Sequence, residues 1–208
     1  MPRELRALVP VEVTVVLAIA IFWPQLAISA TLPFALPLLL AASIARWLRG
    51  RSWSEVTHRG GAAIGAAVGA VALALAIFVA TPLVETLGDR AVEWSQHGFV
   101  RGSATQVLVF AVYAAIAALA AELALRGWIV ERVLELSPGP PVLPILAGAI
   151  AEAVLTPGSV GVRAGAAVFG IGLGWIYVAG GRSVVAPICA RVVFAVGAML
   201  LDGLRVIG

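Results

Sequence analysis

The chain has no lysine. All 14 of its basic residues are arginines, which excludes a Schiff base or a lysine general base. Charge of either sign is scarce, since Asp, Glu, Lys and Arg together make up 12% of 208 residues. Cys189 is the single cysteine, so no internal disulfide can form. A cysteine nucleophile would need a basic neighbour, and the two histidines, His58 and His97, fall in predicted loops elsewhere. Cys189 therefore reads as a small core residue. No A-x-A-like cleavage site follows the first apolar run, so a cleaved signal peptide is not expected. No soluble domain, sequence repeat or low-complexity tail is evident.

What remains is apolar. Hydrophobic residues form 62% of the chain and the mean hydropathy is +1.05, which places it among polytopic membrane proteins. About seven membrane segments are predicted, at 7–23, 31–48, 61–84, 104–135, 141–156, 160–179 and 183–204, giving an all-α transmembrane helix bundle. Residues 1–103 hold three of these segments with their loops, and 104–208 hold a core of four. The basic pI reflects arginines at helix ends, which set topology and do not imply nucleic-acid binding. Arg3, Arg6, Arg46, Arg49, Arg51, Arg59, Arg132 and Arg182 fall on one side; Arg90, Arg101, Arg163 and Arg205 fall on the other. The positive-inside rule puts the N-terminus in the cytoplasm and the C-terminus outside. The expected location is the bacterial plasma membrane.

Gly61, Gly65 and Gly69 recur every four residues in the third segment, and Gly170 and Gly174 do so in the sixth, with Gly172 between them. Small residues at this spacing let helix backbones approach closely. Packing inside one bundle is favoured over a dimer interface. The arginine-rich loop 49–60, with Trp53, reads either as a stretch on the lipid surface or as a plain cytoplasmic loop. Loop 85–103, the longest outer connection, is expected to form an amphipathic or re-entrant stretch whose mixed charges face solvent.

Four ionisable residues fall within apolar segments of the C-terminal half: Glu122, Arg126, Glu152 and Arg191. Charges in such segments are costly, require partners and often mark a site. Glu122 and Arg126 stand one helical turn apart and can pair directly. At about 1.5 Å of rise per residue, Glu122, Glu152 and Arg191 lie roughly 20, 16 and 12 Å up their helices. Three helices can thus bring them to a similar level. Their formal charges sum to zero, which favours a structural ion-pair cluster. A carboxylate pair acting on water is the alternative, but two arginines compete for those carboxylates. Glu12 and Asp202, near segment ends, are expected at the interface.

The C-terminal half resembles the CPBP family of intramembrane proteases, which comprises the CAAX-prenyl endopeptidases, bacteriocin-processing enzymes and their relatives. The first motif of that family, Glu-Glu-x-x-x-Arg-Gly, is matched by Glu122, Arg126 and Gly127, followed by Trp128. A later motif is matched by Gly170, Gly174, Trp175, Ile176 and Tyr177, and continues through Gly181, Ser183, Ala186, Pro187 and Ile188. The resemblance covers about residues 104–200. It implies a site in which glutamates and histidines hold a water, with a metal, for attack on a peptide bond. The chain departs from that pattern. Ala121 stands where the family has its first glutamate. Gly148 and Glu152 stand at the Phe and first His, and Arg191 and Ala195 at the second His and the Asn. Zinc needs about four donors, normally including His or Cys, and arginine cannot ligate a metal. No metal and no cofactor is therefore expected.

The leading expectation is a non-catalytic relative that packs in the lipid bilayer against other membrane protein subunits, as an accessory, stabilising or regulatory part of a transporter or envelope-assembly system. Two further readings stay open. One is an active peptidase with altered chemistry, using Glu122 as base, Glu152 as its partner, and Arg126 or Arg191 to stabilise an oxyanion. The other is a module that binds lipid or prenyl groups.

Overall fold

The computed structural model describes residues 8–22, 35–58, 60–86, 103–137, 139–156 and 158–203. Arg3, Arg6, Arg59, Arg90, Arg101 and Arg205 lie outside these residues, as do His97 and most of loop 85–103. Among the described residues the chain is helical throughout, with no strand. The helices are α1 (Val9–Phe22), α2 (Ala35–Leu48), α3 (Ala62–Thr86), α4 (Ala104–Leu136), α5 (Val142–Leu155), α6 (Val160–Ala179) and α7 (Val185–Gly203). Each coincides with one of the seven apolar segments expected from the sequence.

Four of these helices, α3, α4, α6 and α7, are long and apolar enough to cross a membrane. Together with the shorter apolar helices α2 and α5 they make a polytopic bundle, and the chain is an integral membrane protein. Helix α5 has 14 residues, about 21 Å of rise, less than the roughly 30 Å of a hydrocarbon core. Helix α4 has 33 residues and extends past such a core at about 1.5 Å per residue. Large apolar side chains point outward around the bundle, among them Ile64, Phe78, Leu108, Ile116, Val168 and Trp175. Lipid solvates them where water would not.

Local signals set the helix starts. The Ser103 hydroxyl accepts from the Gln106 N–H at the head of α4, and Ser159 accepts from Val162 at the head of α6, each satisfying a donor that the first turn leaves orphaned. At its other end α6 stops at Gly181 (φ 73°) and Arg182 (φ 68°). This left-handed pair turns the chain directly into α7.

The glycine stripes bring helices together within the chain. Gly65 and Gly69 on α3 face the backbone of Ala186 and Ala190 on α7, and a Cβ at either glycine would collide with the carbonyl oxygen opposite. Gly61 faces the Ala186 side chain. On α6, a Cβ at Gly170 would lie 3.0 Å from Ala149 Cα, and one at Gly174 would lie 2.9 Å from Ile145 Cγ2, both on α5. Gly172, on the same helix, has nothing within 4 Å of that position. Helix α4 runs through the middle. Its Ala124, Leu125, Trp128 and Ile129 pack against Leu38 and Ala42 of α2 and Ala151 of α5.

One expectation needs correction. Arg132, expected in a loop, lies in the last turns of α4, 2% exposed, because that helix continues to Leu136. Asp202, at the end of α7, is fully buried against the bundle. The segment after α2 packs on the bundle through Trp53 and Val56, as described below.

The close α3–α7 contact yields a prediction. Gly65→Ala is expected to destabilise the folded protein by about 2 kcal/mol or more through overpacking. Gly172→Ala is expected to be neutral or slightly stabilising, since it adds a methyl to open space on a helix. Thermal unfolding in detergent measures both, and equal effects would refute the assignment of contacts.

Candidate functional site

The residues Glu122, Arg126, Glu152 and Arg191 meet in one cluster between α4, α5 and α7. Arg126 Nη1 lies 3.2 Å from Glu122 Oε1 and 2.6 Å from Glu152 Oε2. Arg191 donates through Nε to Glu122 Oε1 at 2.6 Å and through Nη2 to both oxygens of Glu152, also at 2.6 Å. Arg126 Nη2 donates to the Gly170 carbonyl of α6 at 3.1 Å, so a fourth helix joins. Glu122 and Arg126 are fully buried, and Glu152 nearly so. Arg191 keeps 21% of its side chain exposed, beside the Phe169 ring at 5.9 Å. Glu122 Oε2 and Arg126 Nε are buried without a hydrogen-bond partner.

The helix that carries Glu122 and Arg126 changes pitch at the site. Leu125–Val130 is π-helical, a widening seen mostly as single turns and frequently at functional sites. Such a turn disturbs the normal ladder of backbone bonds. Here the Gly127 carbonyl takes an outside donor, Arg46 Nη1 of α2, at 2.9 Å. Gly127 also makes room, since a Cβ there would meet Trp53 at 3.2 Å and Val56 at 3.3 Å.

Those contacts come from the segment after α2. Ser52 and Glu55 form a capping box around the single 3-10 turn Trp53–Glu55. Trp53 lies under the Arg46 guanidinium at 4.6 Å and donates to the Ser43 hydroxyl at 3.2 Å. Val56 is 3% exposed and its carbonyl accepts from the Val184 N–H at the head of α7. Around this plug runs a second layer of ion pairs. Arg49 pairs with Glu12, Arg51 with Glu55 and Glu135, Arg132 with Glu135, and Arg182 with Glu131. Tyr177 donates to Glu131 at 2.9 Å. The Glu135 hydrogen bond holds the Arg51 guanidinium above its ordinary pKa range.

Residues 103–197 match the family described as type II CAAX prenyl endopeptidase Rce1-like. Across these residues the chain is similar to that family. The matched segment contains all four members of the cluster and the π-helical turn. No curated protein and no solved structure gave a match to the chain.

The metal that the family resemblance implies does not fit the residues present. A divalent ion needs several anionic or neutral donors. The Rce1-like segment brings two carboxylates together here, and both are occupied by guanidinium groups at bonding distance. Among the described residues no group of three or more His, Cys, Asp or Glu side chains could hold a metal. Cys189 is half-buried. Of the histidines, His58 contributes its backbone carbonyl to Ser183 in the second layer. The cluster as it stands binds charge to charge.

Sequence reasoning missed Arg46, Trp53 and the second layer. Arg46 read as one topology charge among eight, and the signal that a π-helical carbonyl would need it is absent from its own neighbourhood, 81 residues away in sequence. The Ser-x-x-Glu box at 52–55 was the one local sign that the loop is structured.

Two outcomes follow. Arg191→Met or Glu152→Gln, each leaving a buried charge unpaired, is expected to cost about 3–5 kcal/mol, read as lost folded yield and a lower unfolding midpoint. Arg46→Leu is expected to cost about 1–3 kcal/mol by orphaning the Gly127 carbonyl. Variants as stable as the parent chain would show that these bonds do not form.

Proposed function

We propose that the chain is a non-catalytic CAAX-protease-like membrane protein, an accessory, stabilising or regulatory subunit of a larger assembly such as a transporter or an envelope-building system. The observation that carries this reading is the bonding of both site carboxylates to Arg126 and Arg191. A carboxylate bonded twice to fixed cations is a poor general base, because its lone pairs are engaged. The positions at which the family carries its first glutamate and its two histidines hold Ala121, Glu152 and Arg191, so the frame persists while the acid–base and ligand groups do not. With short connections among the described residues, lateral helix contacts within the membrane are the recognition surface for other subunits. The proposed setting is the bacterial plasma membrane with the N-terminus in the cytoplasm, where the ion-paired arginine layer beneath α2 and α4 would lie.

A second reading has one observation in its favour. Glu122 Oε2 is fully buried and accepts no hydrogen bond, which leaves one oxygen of the retained family glutamate available as a base. In that case the chain is a peptidase with a glutamate-based site, acting on a substrate of the CAAX-prenyl class.

Purification of the tagged chain from its native membrane in mild detergent separates the two. A stoichiometric membrane protein companion, unaffected in its recovery by Glu122→Gln, is expected. A chain recovered alone that cleaves a prenylated peptide, and loses that cleavage with Glu122→Gln while remaining folded, would contradict the accessory role.

A further inference from the structure

In the cluster, each guanidinium touches both carboxylates. Arg126 Nη1 reaches Glu122 and Glu152, and Arg191 reaches the same two through Nε and Nη2. Two positive charges therefore bridge two negative ones, with the carboxylates contributed by α4 and α5. That is the charge and the bridging place of one divalent cation held between two carboxylates. A cation and a guanidinium compete for the same oxygen lone pairs, and arginine does not give up its charge in proteins.

The two arginines are not equivalent. Arg126 has a second anchor in the Gly170 carbonyl and approaches Glu122 at the longer distance, 3.2 Å. The 2.6 Å contact to Glu122 belongs to Arg191, which also takes both oxygens of Glu152. Arg191 is also the most accessible of the four, 21% exposed where the others are at most 7%. It bonds both carboxylates from the most exposed position of the four.

We infer that Arg191 is a built-in substitute for a divalent metal ion, and that this one side chain closes the Glu122–Glu152 pair to zinc. An imidazole at position 191 in its place would add a third donor, on a third helix, to two carboxylates already brought together. Three protein donors and a water satisfy zinc. The inference rests on the geometry of the site and stands apart from any partner the chain has.

The test uses the full chain in mild detergent, with zinc content measured by elemental analysis and the unfolding midpoint measured with zinc chloride and with EDTA. The parent chain is expected to carry no stoichiometric zinc and to show the same midpoint in both. Arg191→His is expected to bind one zinc per chain and to gain about 5 °C at a hundredfold excess over its Kd. Cobalt added in place of zinc should give it the visible absorption of a tetrahedral site. Arg191→Lys, which keeps the cation, is expected to stay unresponsive. Zinc bound stoichiometrically by the parent chain, or a zinc-dependent rise in its midpoint, would overturn the inference. A folded Arg191→His variant that ignores zinc would overturn it equally. If that variant folds neither with nor without zinc, the parent chain decides: zinc uptake refutes the inference and its absence supports it.

Discussion

Two carboxylates inside a membrane bundle must be neutralised, and the structure does this by placing a guanidinium on each side of them. Glu122 and Arg126 come from α4, Glu152 from α5 and Arg191 from α7, with the Gly170 carbonyl of α6 as a further acceptor. The arrangement fixes the relative depth and rotation of four helices that van der Waals packing alone would leave free to slide. Lipid offers no hydrophobic drive for helix association, so a polar cluster of this kind carries more of the registration than it would in water. The glycine contacts of α3 on α7 and α5 on α6 then bring the backbones close enough for short arginine reach.

The second layer depends on the first. The π-helical turn lies one turn beyond Glu122 and carries Arg126 within it. Its disturbed backbone leaves the Gly127 carbonyl to Arg46, and Arg46 in turn holds Trp53 and the plug whose Val56 carbonyl accepts from Val184 at the head of α7. The charged cluster and the loop below it thus meet on one turn of α4.

The seven helices were legible in the sequence because apolar runs of membrane length have few alternatives, and glycines and prolines punctuate them. The cluster was legible for a related reason: only four charges fall inside the C-terminal apolar segments, they sum to zero, and helical rise puts them near one level. The residues beneath the bundle were not legible. Arg46 and Arg132 look like any topology arginine, because their partners, Gly127 and Glu135, declare themselves only once α4 is known to outrun the bilayer and to widen at its motif. The burial of Asp202 was not legible either, since closeness to a helix end says nothing about whether that end is covered. The family resemblance named the frame of the C-terminal half.

The central claim is that Glu152 and Arg191 bind each other as part of a neutral cluster. A double-mutant cycle with Glu152→Gln and Arg191→Gln, read by reversible unfolding in detergent, tests it most directly. The account predicts that the double variant is more stable than the sum of the single losses allows, with a coupling well above about 1 kcal/mol. Strictly additive losses would mean that the two side chains do not interact, and the cluster would have to be abandoned.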